Sequence, residues 1–108
     1  MASSRMGFNV ELQDELGGRL DGVGDPRGLL NKLLPEPGDR DDYPFLRSID
    51  NYGDTTFNHL QMPRFLKEWA AISVKATNAD QEAIVSAVEA LARRCRDEVH
   101  TYLKFVGD

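Results

Sequence analysis

The chain has 108 residues, a formal net charge of −5 and a hydrophobic content of 41%. This length excludes two independently folded domains, and the hydrophobic content is enough for one buried core. The acidity disfavours a general affinity for nucleic-acid phosphates, and no apolar run approaches the roughly 20 residues of a membrane-spanning helix.

The charge is unevenly distributed along the chain. Residues 1–54 hold 11 acidic and 6 basic side chains, whereas residues 55–108 hold 7 of each. Cys95 is the sole cysteine and cannot form an internal disulfide, which favours a cytoplasmic location. We expect residues 1–6 to be a disordered start or an expression remnant, with Met6 as a plausible natural start and no signal peptide, and residues 7–108 to form a single α+β domain.

A β-hairpin is predicted at the beginning of this domain. Phe8, Val10 and Leu12 alternate with polar residues, which is the period of a half-buried strand. Gly17 and Gly18 then indicate a turn, and residues 19–23 provide the returning strand.

A short helix is predicted next. Asp25 is a suitable N-cap and Pro26 suits the first helical position, because proline has no backbone N–H to leave unpaired. The apolar stripe consists of Leu29, Leu30, Leu33 and Leu34. Residues 35–44 then form a loop with three prolines and four acidic residues.

A third strand is predicted at residues 45–49, because Phe45 and Ile49 can share one face. Residues 50–54 indicate a turn. Residues 55–57 remain ambiguous between a further short strand and the approach to a helix.

Two helices are predicted in the second half. The first begins near Pro63 and has its apolar stripe at Phe65, Leu66, Trp69 and Ile72. Asn78 and Gln81 have the spacing of a capping box, and a final helix of about 24 residues would follow and end at Gly107. The predicted order is therefore β-β-α-β-α-α, an α+β fold in which two long C-terminal helices pack on one face of a three- or four-stranded antiparallel sheet.

Polar residues crowd around Gly53 directly after the predicted third strand, and loops at strand ends often carry function. Asp50 and Asp54 are candidate acid/base groups and His59 a candidate proton shuttle, so an enzyme or ligand site at residues 50–59 is one hypothesis. The competing interpretation is a structural turn, since Asn, Gly and Asp supply turn geometry.

Metal chemistry has little support in the sequence. A calcium loop starting at Asp50 would place Tyr52, Thr55 and Gln61 where Asp or Asn, Gly and Glu are required. The two histidines lie 41 positions apart with no second ligand at helical spacing. We therefore expect no metal ion and no cofactor.

The last helix carries one thiol and one basic cluster. Cys95 lies on its apolar stripe and is interpreted as a core residue, although the neighbouring arginines would favour a reactive thiolate if they faced it. Arg93, Arg94 and Arg96 are interpreted as partners of surface ion pairs with Glu89 or Asp97.

Two stretches of the chain carry a resemblance. Residues 49–63, and residues 92–95 together with 100–108, resemble a group of small uncharacterised bacterial proteins of about this length. The small, acidic chain without catalytic equipment is also broadly similar to immunity proteins of bacterial toxin systems. That similarity implies a protein partner and no enzymatic activity.

The main functional hypothesis is a non-enzymatic protein-binding module, most concretely an immunity or inhibitor protein that masks a basic partner. Acidic side chains would steer association and an aromatic side chain would anchor the complex. The partner-binding residues expected on this hypothesis are Asp39, Asp41, Asp42, Tyr43, Asp50, Tyr52 and Asp54. A structural subunit or homo-oligomer is a further alternative, and neither nucleic acid nor a membrane is expected as a partner.

Overall fold

The computed structural model describes residues 7–35, 42–50 and 52–107. The predictions for residues 1–6, for the greater part of loop 35–44 and for Asp108 lie outside these ranges. In chain order, the elements are β1 (Asn9–Asp14), β2 (Arg19–Gly24), α1 (Leu29–Leu33), a 3₁₀ turn (Leu46–Ser48), β3 (Asp54–Asn58), a second 3₁₀ turn (His59–Gln61), α2 (Met62–Ser73), α3 (Ala79–Asp97) and β4 (Thr101–Val106).

The strands form one antiparallel sheet in the order β2-β1-β4-β3. β1 and β2 make the predicted hairpin, with a register shift between Leu12 and Gln13. Alternate side chains of β1 and β4 are buried on one face, among them Val10, Leu12 and Leu103. There they share a single core with α1, α2 and α3, which confirms an α+β fold with a small antiparallel sheet.

The prediction that the last helix continues to Gly107 is wrong. α3 ends at Asp97, His100 takes a left-handed backbone conformation (φ 66°), and the chain returns as β4. In β4, Thr101, Leu103 and Phe105 are buried in strict alternation, and this strand pairs with both β1 and β3. Helical spacing was misleading here because an apolar run of this length fits either period.

The third strand is also displaced from its predicted position. Residues 45–49 contain the 3₁₀ turn Leu46–Ser48, and the strand is β3 at Asp54–Asn58, which includes the segment that sequence left ambiguous. The backbone N–H groups of Phe45 and Leu46 donate to the Glu68 carboxylate instead of to a neighbouring strand. These contacts explain why an apolar segment with strand-like spacing does not join the sheet.

α1 begins at Leu29, three residues after the predicted start. Gly28 precedes it in the left-handed region (φ 67°) and serves as the N-cap. Asp25 is buried, and its carboxylate accepts hydrogen bonds from the N–H groups of Leu29 at 3.0 Å and Leu30 at 2.8 Å. Asp25 therefore accepts hydrogen bonds from the free N–H groups at the start of this helix, as predicted, but it lies four residues before Leu29 and is not the N-cap residue.

α2 and α3 begin close to their predicted positions. Pro63 lies in the first turn of α2. The Asn78 side chain accepts from the N–H of Gln81 at 2.9 Å, as in a capping box, but the Gln81 side chain accepts from the N–H of Thr77 at 2.8 Å. α3 is long, with 19 residues, whereas α2 has 12, so only one of the two helices is long in the predicted sense.

Candidate functional site

The segment between the first 3₁₀ turn and β3 forms a tightly connected loop, here called the Tyr52 loop (residues 50 and 52–54). The Asp50 carboxylate accepts a hydrogen bond from the N–H of Tyr52 at 2.9 Å. The N–H of Asp50 donates to Thr55 Oγ1 at 2.9 Å, and the N–H of Gly107 donates to the Gly53 carbonyl at 2.7 Å. Hydrogen bonds to β3 and to the end of β4 therefore fix the shape of the loop.

Tyr52 is the exposed aromatic residue of this loop. It is 84% exposed, and Asp50 and Asp54 on either side are exposed as well. Asp54 lies 3.3 Å from the Lys104 ammonium on the open face of the sheet. The loop thus presents one aromatic side chain between two carboxylates, of which Asp50 has no basic side-chain partner among the described residues.

The acid/base arrangement proposed for residues 50–59 is not assembled by this geometry. Asp54 and Asn58 are the two ends of β3, which separates them by about 13 Å at roughly 3.3 Å per residue. His59 follows at the far end, where it begins the second 3₁₀ turn. The Asp50 carboxylate serves the local turn, so the three groups do not converge on one point where a substrate would react.

Asp42 and Tyr43 lie elsewhere, beside α2. They border a groove of about 230 Å³ whose other lining residues are Arg64, Lys67, Glu68 and Ala71. Tyr43 is partly buried and packs against the core, whereas Asp42 is exposed. Asp39 and Asp41 lie outside the described residues. The structure therefore brings Asp50, Tyr52 and Asp54 together but places Asp42 and Tyr43 in a separate groove.

Glu68 is a buried carboxylate that sequence reasoning missed. It is 2% exposed, and it accepts hydrogen bonds from the backbone of Phe45 and Leu46 and from Arg64 Nε at 3.0 Å. A signal was present, because Glu68 falls on the same helical stripe as Phe65, Trp69 and Ile72. Charged residues on an apolar stripe are almost always paired when they are buried.

A second cavity, of about 270 Å³, lies between the end of β2 and the beginning of α3. An ion pair between Arg27 and Asp80, at 2.6 Å, lies on its rim. The lining residues are Val23, Gly24, Asp25, Pro26, Arg27, Leu29, Asp80, Ala83 and Ile84. These residues come from two separate parts of the chain, 23–29 and 80–84, and no local motif in the sequence indicates them.

The basic cluster of α3 is engaged in ion pairs. Arg93 pairs with Glu89 at 2.6 Å and Arg96 pairs with Asp97 at 2.8 Å, which confirms the predicted use of these two arginines. Arg94 contacts Glu98 and also Asp21 of β2. The hydrogen bond from Arg96 lowers the pKa of Asp97, so this carboxylate stays ionised and compensates the cluster.

Cys95 is buried in the core, and this burial raises the pKa of its thiol, against a smaller opposing effect of its hydrogen bond with Thr101. Because the thiolate is the nucleophile, we expect very slow reaction with a disulfide reagent such as DTNB in the native protein and fast reaction in urea. The reaction rate of the native protein with DTNB should rise as added urea increases the fraction of molecules in which the core is open. A fast native reaction near neutral pH would contradict the core assignment.

In the ranges 7–35, 42–50 and 52–107, no group of three or more His, Cys, Asp or Glu side chains is arranged to hold a metal ion. No helix in this same part of the chain is long and apolar enough to cross a bilayer. Comparison of the chain with protein-family models, curated proteins and solved structures finds no match.

Proposed function

We propose that this protein is a non-enzymatic protein-binding module that contacts a basic partner through the Tyr52 loop, as an immunity or inhibitor protein would. The observation that carries this proposal is the 84% exposed Tyr52 on a loop fixed by three hydrogen bonds. Tyrosine is enriched among the residues that dominate binding energy, and a loop whose backbone is already fixed loses little backbone entropy when it binds.

The charges around the loop support a basic partner. Asp50 and Asp54 flank the ring; Lys104 offsets the charge of Asp54, whereas Asp50 has no basic side-chain partner among the described residues. The chain as a whole carries −5, all of it from residues 1–54. The arginines of α3 are already matched by carboxylates, so they do not offset the acidic loops. Acidic side chains at the edge of an interface mainly accelerate association, whereas a buried aromatic anchor slows dissociation.

A partner captured from the source cells and then purified allows this proposal to be tested by surface plasmon resonance. Replacing Tyr52 by alanine is expected to weaken binding by about 30-fold, mostly through faster dissociation, as for an interface residue that contributes about 2 kcal/mol. The stability of the variant should change by less than about 0.5 kcal/mol, because the side chain is exposed.

A charge variant tests the steering part of the same proposal. Neutralising Asp39, Asp41 and Asp42 together, or Asp50 and Asp54 together, should slow association and flatten its dependence on salt. Leu60→Ala is the matched control, because Leu60 is 77% exposed but lies beyond the far end of β3. Binding that is unchanged by Tyr52→Ala, or equally weakened by Leu60→Ala, would exclude the Tyr52 loop as the contact surface.

A further inference from the structure

β2 is an edge strand, and its outward backbone groups can be assigned. The sheet order places β1 on one side of β2 only. The N–H of Asp25 donates to the Phe8 carbonyl at 2.8 Å, so the backbone of Asp25 faces β1, and by alternation Val23 and Asp21 do so too. The N–H and C=O groups of Gly22 and Gly24 therefore point away from the sheet.

These outward groups have few partners. The N–H of Gly22 is bound by the Asp21 carboxylate at 2.8 Å, which is consistent with its outward direction. No backbone hydrogen bond from another segment of the described chain reaches the outer side of Gly22 or Gly24. Within the described residues, the edge therefore offers an incoming strand the Gly24 N–H and the carbonyls of Gly22 and Gly24, and that strand would displace the Asp21 carboxylate from the Gly22 N–H.

The 270 Å³ cavity adjoins this edge on the helix-covered face of the sheet. Val23 and Gly24 of β2, with residues 25–29 that follow them, form one wall, and Ala83 and Ile84 of α3 form the other. The cavity has the ion pair between Arg27 and Asp80 on its rim. Its volume falls below the roughly 300–1,000 Å³ that is typical of small-molecule sites. It is suited to one large aliphatic or aromatic side chain delivered by a strand that lies along β2.

We propose that the outer edge of β2 binds an extended segment of another protein by strand addition, with one apolar side chain of that segment seated in the cavity. Side chains opposite each other on paired strands point to the same face. A residue paired beside Val23 would therefore direct its side chain toward the helices, where the cavity lies. Main-chain hydrogen bonds would provide affinity, and the cavity would select the apolar residue.

A second copy of this chain is a poorer occupant than a foreign segment. If two β2 strands paired antiparallel about Gly22, each would place Asp21 of one copy opposite Val23 of the other. The cavity would then receive a carboxylate that is already held by Arg94 at 3.2 Å.

The proposal is independent of the Tyr52 loop, which lies toward β3, at the opposite edge of the sheet and about 14 Å away at roughly 4.8 Å per strand.

The test uses random peptides displayed on phage and selected on the full-length protein. We expect enriched peptides to share one large apolar residue within a segment free of proline. Gly24→Pro removes an outward donor and Ala83→Leu fills part of the cavity, so each should weaken binding of an enriched peptide by about tenfold or more. Thr56→Pro is the matched control, because Thr56 is exposed on β3 and by alternation faces away from β4.

Circular dichroism will show that each variant is folded, and a peptide N-methylated at its pairing positions gives a second measurement on the unaltered protein. That methylation should abolish binding. The proposal is overturned if no peptide is enriched, or if Gly24→Pro, Ala83→Leu and N-methylation leave binding unchanged. It is also overturned if sedimentation shows self-association that Gly24→Pro abolishes while no peptide binds, because the occupant would then be a second copy.

Discussion

Replacing Phe105 by alanine is expected to lower the free energy of unfolding by about 4 kcal/mol, close to the whole stability of many small domains. Phe105 is fully buried on β4, one of the two central strands and the one that sequence analysis assigned to a helix. Its ring contacts four other aromatic rings at centroid distances of 5.9 to 6.3 Å, namely those of Phe8, Phe57, Phe65 and Trp69.

The cost is large because the surroundings of Phe105 have little freedom to close around a cavity. Phe105 pairs with Val10 of β1 on one side and with Thr55 of β3 on the other, so its backbone cannot shift without disturbing two ladders. Urea unfolding followed by the fluorescence of Trp69, the sole tryptophan, will measure the loss.

Tyr102→Ala is the matched control for this prediction. Tyr102 lies on the other face of β4 and is only partly buried, so its loss should cost less than about 1 kcal/mol. On a helix, Tyr102 and Phe105 would be three residues apart on one face and would have comparable costs. Equal destabilisation by the two substitutions would therefore contradict the strand assignment of β4.

Local patterns were sufficient to predict the hairpin and the starts of α2 and α3. The alternation of Phe8, Val10 and Leu12 with polar residues fits the two-residue period of a strand and does not fit the period of a helix. Gly17 adopts a positive φ of 85° in the turn, where glycine is favoured. Pro63 and Asn78 each favour the start of a helix through interactions with residues that are only a few positions away in the chain. Such signals do not depend on distant parts of the chain.

The position of β4 and the strand order depend on distant contacts and were therefore not predictable in the same way. Residues 101–106 become a strand because β1 and β3 offer ladders on both sides, and nothing within the segment reveals those partners. The 3₁₀ turn at Leu46–Ser48 is decided in the same manner by Glu68, which lies 22 residues after Leu46. Tertiary context overrides local propensity in both cases.

The candidate sites also divide into features that the local sequence predicts and features that depend on the tertiary fold. Sequence reasoning indicated the polar loop around Gly53, where an added Cβ would come within 2.8 Å of the Asp50 carboxylate and require that side chain to shift. It did not indicate that Tyr52 is exposed while Tyr43 packs against the core, because burial depends on which segments fold over each ring. The cavity beside β2 joins residues more than 50 positions apart and left no pattern in the sequence.

Glu68→Ala is expected to cost about 3 kcal/mol, because two backbone N–H groups would lose their only described acceptor in a largely buried place. The carboxylate is 2% exposed and joins α2 to the segment that leads into the first 3₁₀ turn. Arg64 contributes little to this figure, because its side chain is 49% exposed and water would replace the ion pair.

Glu68→Gln is the matched variant, since its remaining carbonyl oxygen can still accept from Leu46, and it should cost about 1 kcal/mol. Hydrogen exchange is an independent measurement that distinguishes local opening at Phe45 and Leu46 from a general loss of stability. In Glu68→Ala, the amides of Phe45 and Leu46 should exchange much faster under native conditions. The exchange rates of the Leu103 and Phe105 amides in β4 should change only as much as the global free energy of unfolding changes. If alanine and glutamine are equally tolerated, or if protection at Phe45 and Leu46 is unchanged, Glu68 does not hold this segment in place.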